Sequence, residues 1–181
     1  MHAFSLKNRC AAALLLVFAA GAAFGMRPVT IVDQGSFAAG GTVVAARTAY
    51  DPYHPKAEGQ TLHGDHAVVE YQVPENRRAL PLVMLHGAGQ FSKTWDTTPD
   101  GRDGFKNMFL EAGYPVYLVD QPRRGNAGRS TVPGTIDAAP DEGFWFGQFR
   151  MGLWPAFNDG SQFPQDEASL DQFFRQMTPN R

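Results

Sequence analysis

The sequence predicts an α/β fold built around a mixed sheet, and three stretches carry that reading. Asp65 to Val73 alternates, with Ala67, Val69, Tyr71 and Val73 on one face and His66, Val68, Glu70 and Gln72 on the other. This is the pattern of an antiparallel strand with one wetter face. Leu80 to Leu85 and Pro115 to Val119 are short, continuous apolar runs of the kind that form strands buried on both faces. Between them Phe105, Met108, Phe109 and Ala112 recur at helical spacing, with Asp103 placed to cap the start and Gly113 to end the helix. Strand, helix and strand form a βαβ unit whose two strands run parallel. The sheet is therefore expected to be antiparallel at its beginning and parallel in its middle.

The remaining elements are weaker. Met26 to Ala46 offers only Thr42-Val43-Val44-Ala45 as a short strand. Residues 47 to 64 hold Asp51-Pro52, His54-Pro55 and two glycines, and read as loop. From Ser130 onward, Phe144, Trp145, Phe146, Phe149, Trp154, Phe157 and Phe163 are scattered among glycines and prolines without strand alternation. Gln165 to Met177 reads as a helix, with Pro164, Asp166 and Glu167 about its first turn, Ala168, Leu170, Phe173, Phe174 and Met177 along one side, and Pro179 as its stop.

Composition narrows the function classes. The chain has 181 residues, 43% hydrophobic and 19% charged, which suits one globular domain. A net charge of -2 gives no basic footprint, so no nucleic-acid partner is expected. Residues 1 to 25 read as a signal peptide: Lys7 and Arg9 precede the apolar run Ala11 to Ala20, and small residues follow, with cleavage expected between Ala20 and Met26. That run is short for a membrane span, so the expectation is export to the periplasm or medium, with no stable span after cleavage. The single cysteine, Cys10, would leave with the signal, and a chain without it has no disulfide and no thiol nucleophile.

The chemistry concentrates where the first apolar run stops, at His86-Gly87-Ala88-Gly89-Gln90. Three site types begin this way. Gly87 to Thr94 differs from the P-loop pattern at Ser92, where glycine is required, and Pro99 and Gly101 interrupt the helix that should start at Lys93. Lys93 then reads as an ordinary solvated lysine. Gly87 and Gly89 supply half of a dinucleotide-binding G-x-G-x-x-G, but Ser92 again replaces glycine, and Asp120 lies well beyond the usual interval of about 20 residues.

The third type accounts for more of the chain. Leu82 to Gly89, a strand ending in an HG turn, resembles the oxyanion-hole segment of the α/β-hydrolase family. Asp120 to Ser130, DQPRRGNAGRS, is similar to that family's D-x-R-G-x-G-x-S loop with residues inserted. Phe91 to Gly101, rich in Thr, Trp and Asp, is similar to exported bacterial members of esterase type. The resemblance runs from about Asp65 to Ser130. It implies that a backbone N–H of Ala88 or Gly89 stabilises the negative oxygen of a tetrahedral intermediate. His86, Gly87, Gln90, Asp120, Arg124, Gly125, Gly128 and Ser130 are then turn and loop residues, with His86 bonding the loop rather than acting as a base. The implied substrate is a small apolar ester, and no cofactor is implied.

Ester hydrolysis in this family also needs a G-x-S-x-G nucleophile elbow, then an acid and a histidine. None of Ser36, Ser92, Ser130, Ser161 and Ser169 lies in such a motif, and His86 is the last histidine. The expectation is an incomplete α/β-hydrolase sheet: signal at 1 to 25, the amino-terminal part of the core at 26 to 130, and an aromatic-rich cap segment with its helix at 131 to 181. On this reading the chain is truncated before its nucleophile and inactive alone. The alternative is an exported, non-catalytic protein that binds an apolar ligand. The aromatic segment either walls an acyl or aryl pocket or is ordinary core. His63-Gly64-Asp65-His66 has metal-like residue types but no third ligand after His86, so no metal site is expected. Arg123, Arg124 and Arg129 read as a solvated basic loop or as ion-pair partners of cap carboxylates, in preference to a site for an anionic substrate group.

Overall fold

The computed structural model describes residues 27 to 136, 138 and 140 to 178. The signal-peptide segment, Cys10 and the Pro179 helix stop lie outside them. Four strands form the main sheet: β1 (Ile31–Ala39), β4 (Ala67–Pro74), β5 (Leu82–Leu85) and β6 (Val116–Asp120), in the order β1-β4-β6-β5. β1 and β6 each pair antiparallel with β4, and β5 pairs parallel with β6. Two short ribbons accompany it, β2 (Thr42–Val44) with β3 (Leu62–Gly64), and β7 (Gly152–Leu153) with β8 (Ala156–Phe157). Helix α1 (Phe105–Glu111) links β5 to β6, and α2 (Glu142–Gln148) and α3 (Glu167–Arg175) belong to the carboxyl-terminal segment.

The mixed sheet matches the sequence expectation, but β5 does not sit where its apolar run suggests. It is an edge strand among the described residues, with Val83 63% and Leu85 57% exposed and only Met84 buried. Register explains the asymmetry. Leu82 and Met84 pair with Val116 and Leu118, on the face that α1 covers with Leu110 and Phe109. Val83 and Leu85 pair with Tyr117 and Val119 on the other face, where Tyr117 stacks on Tyr71 with ring centroids 5.4 Å apart.

Other departures have local causes. β1 reads poorly because most of its residues are exposed and lack alternation; its pairing with β4, not its own pattern, makes it a strand. β3 in the predicted loop exists for the same reason, through β2. Helix α1 begins after Gly104 without a side-chain cap, and Asp103 instead accepts a hydrogen bond from the Asn107 amide. Gly113 does end it, with φ of 85°. The aromatic segment contains α2, unrecognised because Trp145 and Phe146 are its buried residues while Phe144 and Phe149 stay exposed. Helix α3 is capped by Asp166, whose carboxylate accepts from Ser169 N–H at 2.9 Å. Its buried residues are Ser169 and Phe173, and Ala168 is exposed rather than facing inward.

Two apolar clusters result. One joins Met84, Leu110, Val116 and Leu118 between sheet and α1. The other joins Trp145, Phe146, Met151 and Phe173, with Phe157, Phe163, Leu170, Phe174 and Met177 around them. The aromatic residues thus pack chiefly on one another, in a chain of edge-to-face contacts such as Phe146 with Phe157 at 4.9 Å and Phe149 with Phe173 at 5.4 Å.

A polar staple holds the loop after β6 against the start of β4. Arg123 Nε donates to Asp65 Oδ1 at 2.9 Å, Thr131 donates its hydroxyl to Asp65 Oδ2, and Asp65 N–H donates to Arg129 O at 2.9 Å. Arg123 therefore pairs with the start of β4, not with a cap carboxylate. Its guanidinium and the Thr131 hydroxyl hold the Asp65 carboxyl down at about 2. A depressed folded-state value adds stability above the unfolded value of 3.8, and that stability disappears as pH falls through about 2. Urea unfolding of the parent chain and of Asp65→Asn should therefore differ most above pH about 4 and converge towards pH 2. A difference that stays constant over that range would contradict the staple.

Candidate functional site

Leu85 pairs with Val119, so the carboxyl ends of β5 and β6 lie side by side. Open α/β sheets bind ligands outside the carboxyl ends of their strands. His86 to Gln90 and Gln121 to Ser130 leave from there, and a small set of side chains ties the two segments together.

Asp120 is the main tie. It is 2% exposed, and its two oxygens accept two backbone amides, Ser92 N–H at 2.7 Å and Asn126 N–H at 2.7 Å. One carboxyl thereby anchors the far side of the glycine turn and the short 3-10 turn Gly125–Ala127. Gly125 has φ of 45°, and a Cβ there would fall 2.4 Å from Asp120 Oδ2, so glycine is required on both counts. His86 is the second tie. Its Nδ1 donates to Gly87 O at 2.9 Å, and its Nε2 accepts from Gln121 N–H at 3.1 Å. These partners assign the neutral ring with its hydrogen on Nδ1. Both nitrogens are engaged, which leaves neither to act as a base.

The turn itself runs from Gly87 to Gln90, closed by Gln90 N–H to Gly87 O at 3.3 Å. Gly89, with φ of 68° at the third position, makes it type II in form. Four carbonyls in and beside it accept hydrogen bonds from within the fold. His86 O accepts from Gln121 Nε2 at 3.3 Å, Gly87 O from His86 Nδ1, Gly89 O from Thr178 N–H at 2.8 Å, and Gln90 O from Thr178 Oγ1 at 3.2 Å. Ala88 is exposed, and its N–H donates to no other group among the described residues. Gly89 is buried beneath Trp145, whose Cη2 would lie 2.1 Å from a Cβ at that position. The Gln90 side chain folds back, its Oε1 3.2 Å from where a Gly87 Cβ would be.

Of the residues singled out in the sequence, His86, Gly87, Ala88, Gly89, Gln90, Asp120 and Gly125 meet here. Arg124 precedes the 3-10 turn and is partly buried, and that burial lowers its guanidinium pKa from the ordinary value. Gly128 and Ser130 lie farther along the loop, and Ser130 Oγ bonds only locally, donating to Val132 O at 2.8 Å. Lys93 is not simply solvated: its Nζ donates to Thr97 O at 3.1 Å and Thr97 Oγ1 at 2.6 Å. After the glycine turn there is a single 3-10 turn, Ser92–Trp95, in place of a phosphate-binding helix. Gln121, Trp145 and Thr178 also meet here, and the sequence does not single them out. Trp145 is one of many aromatics in its segment, and Thr178 carries no local signal because its contact with Gln90 lies 88 residues upstream.

No protein-family model matches the chain. Over 103 residues it is 38% identical to a probable secreted lipase, phiG, of Fungal sp. (strain ATCC 74256), covering 53% of this chain and 27% of that protein. The atomic-resolution structure of a novel bacterial esterase superposes with a TM-score of 0.69 at 28% identity, covering 85% of this chain and 52% of that one. The chain thus spans about a quarter of the lipase and about half of the esterase.

Two substitutions test the site as a structure. Asp120→Asn sets an amide NH2 against one of the two backbone donors and should cost roughly 2–3 kcal/mol of stability in urea unfolding. Gly89→Ala meets both a left-handed backbone and the Trp145 ring, and should cost roughly 2–4 kcal/mol by the same measurement. Loss of less than about 0.5 kcal/mol in either variant would contradict the geometry described.

Proposed function

We propose that this chain, which is related along part of its length to the esterase- and lipase-like α/β-hydrolases and shares their mixed sheet, supplies the oxyanion half of a carboxylic ester hydrolase site. The observation that carries the proposal is the glycine turn at the carboxyl end of a parallel strand, where the carbonyls of His86, Gly87 and Gly89 accept internal hydrogen bonds and the exposed Ala88 has an N–H that donates to no described residue. When a nucleophile adds to an ester, negative charge collects on the former carbonyl oxygen. A donor already fixed in place lowers that barrier without having to reorganise. Ala88 is the better of the two candidate donors, because Gly89 is covered by Trp145.

The nucleophile belongs on a further parallel strand beside β5. The open edge of that strand and the exposed Val83 and Leu85 support this placement, since parallel sheets are ordinarily buried on both faces. The substrate class is a small apolar ester. The residues of the motif require no cofactor for this role. Export is part of the proposal, supported by the signal-like residues 1 to 25 and by the similarity to a protein named as a secreted lipase.

The test uses the gene with whatever reading frame continues past Arg181. Its product should hydrolyse 4-nitrophenyl butyrate and be silenced by a serine-directed phosphonate. Ala88→Pro removes only the proposed donor, because proline suits the second position of a type II turn. It should lower kcat on the order of 10²–10³-fold while leaving the melting temperature nearly unchanged. Hydrolysis undiminished by Ala88→Pro, or saturable ester binding with no turnover in the parent, would refute the proposal.

A further inference from the structure

We propose that Thr178 and Trp145, both in the carboxyl-terminal aromatic segment, are positioning residues that clamp the glycine turn in the conformation that leaves the Ala88 N–H without a described acceptor. The chemical purpose of the clamp rests on the ester-hydrolase reading; its existence rests on geometry.

The turn is poorly held by its own residues. It contains two glycines, the most conformationally free of residues, and its closing hydrogen bond is long at 3.3 Å. Thr178 compensates with two bonds to consecutive carbonyls, N–H to Gly89 O at 2.8 Å and Oγ1 to Gln90 O at 3.2 Å. Two bonds from one residue fix the direction of both carbonyls. Trp145 holds the same point from another side, its six-membered ring resting where a Gly89 side chain would be. The indole is itself fixed, with Nε1 donating to Asp141 Oδ2 at 2.6 Å and Phe144 edge-on at 5.0 Å. Trp145 is also part of the aromatic cluster that buries Phe173 of α3, five residues before Thr178. The aromatic segment and the turn are therefore in direct contact. Neither residue hydrogen-bonds Ala88, so both act through the turn.

Amide hydrogen exchange reads the clamp without any need for turnover. Gln90 N–H closes the turn, whereas Ser92 N–H is held by Asp120 and serves as a control two residues away. In Thr178→Pro, which removes both donors at a chain position past α3, Gln90 should exchange about fivefold to tenfold faster. Ser92 should stay within about twofold of the parent. Trp145→Leu should give the same pattern, and Thr178→Ser should restore the parent rate. Unchanged Gln90 exchange, or Gln90 and Ser92 accelerating together, would overturn the clamp. In the product used for the ester-hydrolase test, Thr178→Pro should lower kcat on 4-nitrophenyl butyrate about tenfold with KM unchanged, with recovery in Thr178→Ser. A rise in KM at constant kcat would overturn it equally. If the parent hydrolyses nothing, the ester-hydrolase reading fails and the exchange measurements still decide the clamp.

Discussion

Burying the carboxyl of Asp120 is the constraint around which this site is organised. A carboxylate taken out of water is costly unless its oxygens find donors, and here each oxygen takes one backbone amide. The two amides come from opposite sides, Ser92 beyond the glycine turn and Asn126 in the loop after β6. Satisfying one side chain therefore sets the separation of two segments that no strand pairing joins. The requirement for glycine at 125 follows directly, because the carboxyl occupies the space any side chain there would need. His86 repeats the device on a smaller scale, bridging Gly87 O and Gln121 N–H with a single ring.

Once those ends are fixed, the character of the turn follows from which backbone groups are already spent. A loop at a strand end offers carbonyls as readily as amides, and carbonyls repel a developing negative oxygen. In this chain the carbonyls of His86, Gly87 and Gly89 are satisfied from within, by Gln121, His86, Gln90 and Thr178, and the exposed Ala88 keeps an N–H that donates to no described residue. The aromatic cluster supplies the remaining support. Trp145 and Thr178 bring it against the turn, which gives a segment with its own apolar core a direct hold on the site.

The legible parts of this architecture are those whose signal is local. The alternation around Val69 to Val73 and the apolar run ending at Asp120 mark strands, and HGAGQ and DQPRRGNAGRS mark the turn and loop at strand ends, each within a dozen residues or fewer. Strand β1 does not, because an exposed strand is defined by its neighbour's hydrogen bonds and not by its own side chains. Helix α2 is hidden for a related reason. Its neighbours Trp145 and Phe146 are buried while Phe144 and Phe149 are exposed, so a uniformly aromatic stretch shows no helical stripe. The β5 run reads as buried on both faces, and among the described residues one face and one edge are open. Asp103 reads as a cap by position, but Gly104 takes that place and Asp103 bonds Asn107. Thr178 marks the limit of such reading, since a lone threonine near Pro179 carries no hint that it meets a glycine turn.

The tautomer of His86 is the most direct test of how the two strand ends are joined. Long-range nitrogen–proton correlation spectra of the labelled protein should show Nδ1 protonated and Nε2 bare, with the Gln121 amide proton shifted by its bond to Nε2. An imidazole protonated at Nε2, or a doubly protonated ring, would mean that Nε2 accepts nothing from Gln121. The bridge between the glycine turn and the loop after β6 would then be wrong, and the turn conformation that depends on it would lose its support.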